Sequence, residues 1–455
     1  MATATTDPVR LPPTLRLPKL VTSVLFLTSL QYSVAPWLSR RYGGPFTINL
    51  PIFGKTIVIH DRDIVKEVYS ASFDLIERPT KVLGQAFGPG STFSLIGKEH
   101  SERRKLVLPN FSGKKVKNYE QLVEDEVLSE TASWPEGQEF ETLESMTRLT
   151  LNAIMRATFG ERADALDELK AVIPSLITLG SLMQRMPPFV RREYGSWSPG
   201  SKLAAFRRRF DAVIDELLAE ARADSSLADR SDMLALLMQA RYEDGSPISD
   251  RHIADELLTL VAAGHETTAS QLAWAVERLR RNPDVMRRLT EEVDAGGSDL
   301  RQATIYEIQR VRPTIAASLR TTKTRVRIDE WVLPADTAVM IDFQLAHESD
   351  TNYTDPEAFN PDRFLGGPPP SFRWVPFGGG INRCVGAAFA HMEMDVTLRT
   401  LFREFRFTAT DAPAEARNFR GVAIAPGKGA RAVVYRRVDS PSRDRDSVSV
   451  ADHSS

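Results

Sequence analysis

The run FGGGINRCVG (377–386) contains Cys384, the only cysteine in the 455 residues. One thiol excludes an internal disulfide, a four-cysteine zinc site and an iron–sulfur cluster. A small buried hydrophobe, a nucleophile and a single-thiolate metal ligand remain. Apolar residues then recur at Val385, Phe389, Met392, Val396 and Phe402, a helical spacing that sets a helix N-terminus near the sulfur. Its unpaired amides and the positive end of its dipole favour a thiolate, and the glycines let backbone amides approach. A nucleophile would want a histidine base, which nothing local supplies, whereas a metal-bound thiolate needs only shielding and hydrogen bonds. The loop lacks the spacing of a dinucleotide-binding turn, and no Lys-Ser/Thr follows it as in a phosphate loop.

A second constellation is AAGHETT (262–268), inside the longest helical pattern of the chain. Ser249 or Asp250 can cap that helix, Arg280 and Arg281 suit its C-terminal end, and Pro283 lies just beyond. The small and hydroxyl residues stand where apolar packing is the norm, and a bulge or inserted water is expected there. A zinc-protease helix would need a second histidine four residues after His265, where Ala269 stands. His100 and Arg104, four apart in HSERR, share a helix face, and Glu307 and Arg310, three apart, can form an ion pair.

The elements that position these groups read as mostly helical with a small β region. Strand-like runs fall at 44–60, 321–342 and 430–437. No repeat, linker or second composition regime divides the chain, so one large domain is expected over 19–437. Before it, 1–18 reads as an extended arm; after it, 438–455 reads as a polar disordered tail. Leu20 to Val34 is apolar but broken by Thr22, Ser23, Thr28, Ser29 and Gln31, which points to an amphipathic helix rather than a transmembrane anchor. A net charge of −2 gives no basic field for nucleic acid. The cysteine economy suits a cytoplasmic, soluble protein, and no association motif argues against a monomer.

FGGGINRCVG resembles the haem-binding loop of the cytochrome P-450 monooxygenases, with Phe377, Gly378, Gly380, Cys384 and Gly386 on matching positions. Four further motifs follow the family's order: GKEHSERRKLVLPNF (97–111), AAGHETT (262–268), YEIQRVRP (306–313) and FNPDRF (359–364). The resemblance covers about residues 12–436 and is closest to soluble actinobacterial, especially mycobacterial, members. It implies the P-450 fold, with a long central helix over the haem and the cysteine loop beneath it. Haem b would be the cofactor and Cys384 its axial thiolate and iron ligand.

Further roles follow from the resemblance. His100, Arg104 and Arg320 would meet the haem carboxylates, with Phe377, Gly378, Gly380 and Arg383 around the ligand. Ala263 and Gly264 would lie over the haem, leaving room for dioxygen. Glu266 and Thr267 would deliver protons to it, while His265 would be lining or surface. Glu307, Arg310 and Arg363 would form a structural network behind the loop. One departure stands out: the family usually has a basic residue two before the cysteine, and here that position is Asn382.

The implied activity is insertion of one oxygen atom from O2 into an apolar substrate of fatty acid, terpenoid or steroid type. Electrons would come from a ferredoxin and ferredoxin reductase, docking on Lys98, Arg103, Lys105, Lys114, Lys115, Lys117 and Arg383. A haem-thiolate isomerase or peroxygenase, and a non-catalytic haem sensor, are the alternatives. Substrate-facing stretches would be 80–96, 177–195 with a lid at Met186-Pro187-Pro188, 314–317 and 421–424.

Overall fold

A computed structural model of the chain describes residues 1–15, 17–18, 21–22, 31–50, 53–79, 87–111, 113–160, 163–184, 191–420 and 423–438. The expected lid at 186–188, most of the apolar helix at 20–34 and almost all of the tail lie outside these residues. The helices that bear on the site are α1 (Gln31–Tyr42), α2 (Gly97–Val107), α3 (Thr142–Phe159), α4 (Pro199–Ala223), α5 (Asp250–Arg280), α6 (Asp299–Val311) and α7 (Ala387–Glu404).

Helix α5 runs for 31 residues from the Ser249 cap, whose side chain accepts from the His252 amide. It crosses the largest hydrophobic core, where Leu257, Leu258, Val261, Leu272 and Trp274 meet Leu149 and Ile154 of α3 and Val396 and Leu401 of α7. The expected bulge at AAGHETT does not occur: the helix is continuous. The hydroxyls of Thr267 and Ser270 instead bond back to the Ala263 and Glu266 carbonyls at 2.7 and 2.8 Å, so polar side chains are satisfied without opening the ladder.

The β region is a five-stranded sheet in the order Phe46–Leu50, Gly54–Ile59, Ala338–Asp342, Ala317–Thr322 and Ile76–Glu77. Only the pairing of Gly54–Ile59 with Ala338–Asp342 is parallel among these neighbours. The N-terminal arm is extended and laid along the β structure. Thr3 and Ala4 pair with Arg327 and Val326, and the Leu15 amide bonds the Thr47 carbonyl at 2.8 Å. Among the described residues no helix is long and apolar enough to cross a membrane.

Candidate active site

The cysteine loop is shaped by left-handed glycines and one neighbour. Gly378 and Gly380 have φ of 66° and 62°. A side chain on Gly380 would reach within 2.0 Å of the Tyr69 carbonyl, and one on Gly379 within 2.6 Å of the Tyr69 ring. The turn therefore closes only with glycine against Tyr69. The Cys384 amide bonds the Phe377 carbonyl at 2.9 Å, and α7 begins three residues on.

The Cys384 side chain is accessible by surface yet enclosed by protein, as a group lining an internal cavity is. Burial pushes its thiol up, while the Gly386 amide, Arg104 and Arg383 pull it down toward thiolate. Arg383 is itself exposed, and Phe377 is half-buried beside Trp374 and His391.

Behind the loop, Glu307 and Arg310 of α6 are fully buried and paired at 2.7 and 2.8 Å. Arg363 reaches Glu307 at 3.2 Å, and the remaining Arg310 donors go to the carbonyls of His347, Pro356 and Ala358. His347, which no sequence motif announces, carries this network into the cysteine loop. Its Nε2 accepts from the Val375 amide at 2.9 Å, which leaves the proton on Nδ1 to donate to the Arg310 carbonyl at 3.1 Å. Burial and Arg310 push its pKa down to about 3, so the ring stays neutral, as this pairing requires.

On α5, every residue from Ile253 to Glu277 is buried except Ala263, Gly264, Glu266 and Thr267. Their spacing puts them on one face, so the helix opens onto accessible space only there. Gly264 turns its missing side chain toward Ile154 of α3, which a Cβ would approach to 3.0 Å. Its direct effect is thus close approach of two helices. Burial pushes the Glu266 carboxyl up to about 7, against the pull of Arg420. His265 is neither lining nor surface: it is buried, with Nδ1 3.1 Å from the Val261 carbonyl.

A third group is cationic. His100, on α2, and Arg320, in the strand Ala317–Thr322, are both buried and line one small cavity with Tyr69, Arg78, Ile381 and Asn382. Arg104, also on α2, is half-buried, and with Arg78 and Arg320 it depresses the His100 pKa, to about 3, after burial itself. The His100 Nε2 has no hydrogen-bond partner among the described residues.

Arg103 departs from expectation. It points inward, pairing with Glu256 of α5 at 3.2 Å and with the Tyr242 hydroxyl at 2.7 Å, so it is no part of an exposed patch. The inward face of α2 decides this, because position 103 meets α5. Lys98 and Lys105 remain at the surface but pair with Glu102 and Glu243. Asp255 and Glu256 also hold the loop at 87–95, accepting from the Gly90 and Thr92 amides at 2.8 Å each.

The comparisons with known proteins agree with one another. The cytochrome P450 family model matches residues 12–430. The chain belongs to the cytochrome P450 family. It is 47% identical over 430 residues to cytochrome P450 138 of Mycobacterium bovis and of Mycobacterium tuberculosis, covering 94% of this chain and 97% of theirs. Those names are themselves provisional assignments. Cytochrome P450 137 of Mycobacterium tuberculosis is 34% identical over 397 residues, covering 87% of this chain and 83% of its own. Among solved structures, a retinoic acid bound cyanobacterial CYP120A1 superposes with a TM-score of 0.80 at 21% identity, covering 94% and 100% of the two chains. The haem domain of cytochrome P450DA gives 0.82 at 20% identity, covering 95% and 99%. At those identities the superpositions speak to fold alone.

As a P450 the protein is an oxidoreductase of the monooxygenase class that holds haem b through an axial cysteine thiolate. With one cysteine in the chain, that ligand is Cys384. The surroundings fit the group: a lone thiol whose upward push from burial is opposed by the Gly386 amide, Arg104 and Arg383, glycines that close its loop, and buried cations facing a cavity, where a haem's carboxylates need them.

Proposed function

We propose that this P450 inserts one oxygen atom from O2 into an apolar substrate of fatty acid, terpenoid or steroid type, with electrons from a ferredoxin and its reductase. When bound, the haem-thiolate supplies O2 activation, to which the thiolate contributes electron density. Cys384 would hold the iron, Arg104 and Arg383 favour its anionic form, and the Glu307–Arg310–His347 chain fixes the loop that presents it.

The observation that carries the reading is the four-residue opening on α5. Ala263 keeps the approach small and Gly264 lets α3 pack close beside it, while Glu266 and Thr267 put the only polar side chains on that face. Glu266, with its pKa near neutrality, holds a proton that it can release, and the Thr267 hydroxyl can pass one on at the same face. Arg420 sits close enough to tune Glu266, which ties the acid to the end of the strand Arg417–Phe419. An isomerase or peroxygenase would not need this acid–alcohol pair.

The electron donor would dock on Lys98, Lys105, Lys115, Lys117 and Arg383, without Arg103; the side chain of Lys114, expected in the same patch, lies outside those described. Salt-insensitive reduction rates would remove that assignment. The protein is read as a soluble cytoplasmic enzyme, with residues 19–437 as one domain.

The test is reconstitution with ferredoxin, reductase and a panel of apolar substrates under ¹⁸O2. Product carrying one ¹⁸O supports the proposal. Haem spectra of the thiolate type with no reductase-dependent product would favour a sensor. Equal product from peroxide without O2 would favour a peroxygenase. Cys384→Ser should lose the strongly red-shifted carbon monoxide band, and retention of that band would overturn the ligand assignment.

A further inference from the structure

Arg78 stands directly after the edge strand Ile76–Glu77, which pairs antiparallel with Thr322 and Thr321. Extending that register by one residue sets Arg78 opposite Arg320. Two like charges facing one another across a ladder are destabilising. Here they also share a cavity wall with His100, whose pKa both depress, and Arg320 depresses that of Arg78. Burial is the first cause that brings the Arg78 pKa down, to about 10, and Arg320 and Arg104 follow.

Glu77, the only acid on that wall among the described residues, and Glu256 oppose this only as smaller effects, and the Glu77 carboxylate bonds to other groups. Glu77 accepts from the Gly97 amide at 3.0 Å and lies 3.5 Å from Lys323 Nζ. Among the described residues Arg78 donates only through Nη2, to the Thr92 and Leu95 carbonyls. Those bonds aim the guanidinium without neutralising it. On the same wall Asn382 contributes no charge, although it lies two residues before the ligand. Cations that outnumber the one acid beside them, itself bonded to other groups, call for an anionic guest, and the cysteine loop forms part of the same wall.

We infer that Arg78 is a haem-binding residue of this chain, its guanidinium holding a haem carboxylate together with Arg320 and His100 on the wall that Asn382 leaves uncharged. The inference rests on the haem-thiolate reading and deepens it. It also accounts for a cationic cluster that would otherwise be a net cost to the fold.

The experiment uses the full haem-loaded protein and follows haem transfer to excess apomyoglobin by absorbance. Arg78→Ala should lose haem about tenfold faster than wild type, the effect of one charge-assisted hydrogen bond. Arg78→Lys should be intermediate, and adding Asn382→Arg to Arg78→Ala should slow the loss again. The deciding arm repeats the comparison with haem dimethyl ester, which has no carboxylate. Wild type and Arg78→Ala should then lose the cofactor at equal rates.

An undiminished difference with the ester would overturn the inference, showing that Arg78 acts by holding the 92–95 backbone. Equal rates with ordinary haem would overturn it as well. Absence of a thiolate-type carbon monoxide spectrum in wild type would instead sink the underlying haem-thiolate reading, so the two failures are distinguishable.

Discussion

Two charged clusters flank the cysteine loop, and they are built on opposite plans. Around Glu307, every charge has its partner inside the chain: Arg310 is paired twice and capped by three carbonyls, and Arg363 closes the outer side. Around His100, the cations Arg78, Arg104 and Arg320 lie close together, and Glu77 and Glu256, whose hydrogen bonds go to other groups, offset that repulsion only in part. A cluster that satisfies itself serves the fold, whereas one that repels itself is shaped for something the chain does not supply. That contrast separates structural ion pairs from a binding site where a list of buried charges would not.

The contrast can be broken most forcibly at Glu307. Glu307→Ala leaves the Arg310 guanidinium buried without its acid and should cost about 3–5 kcal/mol, read from the denaturant midpoint of the full chain. An unchanged midpoint would mean that the network does not hold the loop frame. Removing a cation from the other cluster should behave differently. Arg320→Met, which keeps an apolar stem over the Tyr69 ring, should change the stability of the haem-free chain by less than about 1 kcal/mol while speeding haem loss. Equal destabilisation by both substitutions would erase the distinction.

Smaller effects sharpen the picture at α5. Thr267→Ala removes only a hydroxyl bonded to its own helix, a cost of about 1 kcal/mol or less, yet product should fall while peroxide and electron consumption rise. Unchanged coupling would remove Thr267 from the proton path. Glu266 supplies the smallest effect. Its folded pKa, about 7, lies above the ordinary glutamate value of 4.5, so its contribution is fully present below about pH 4.5 and is lost as pH rises through about 7. Glu266→Gln should flatten stability in that window, and an identical pH slope in both proteins would contradict the raised pKa.

How much of this was legible before the structure differs by residue. Glu307 and Arg310 lie three apart on one helix, so their meeting is a local consequence of helical geometry. The same holds for the long helix through AAGHETT, whose Ser249 cap and 31-residue length follow from capping and periodicity. His347 was not legible, because its partners Arg310 and Val375 are 37 and 28 residues away in sequence. Arg103 was misjudged for the same reason. HSERR reads as one basic run, and only the packing of α2 on α5 turns Arg103 inward while its neighbour Arg104 faces the cations. The bulge expected from small and hydroxyl residues failed because those hydroxyls found carbonyls on their own helix.

The sequence by itself determined the chemistry: one cysteine in a glycine loop at a helix start, and a long helix carrying an acid–alcohol pair. Those features depend on residues within a turn or two of one another, where helix and turn geometry leave few choices. The tertiary structure decided which charges answer each other. It folded Tyr69 against the glycines, brought His347 behind the loop, and set Arg78 across a strand pair from Arg320. Such meetings are fixed by sheet register and helix packing between distant segments, and no local spacing encodes them.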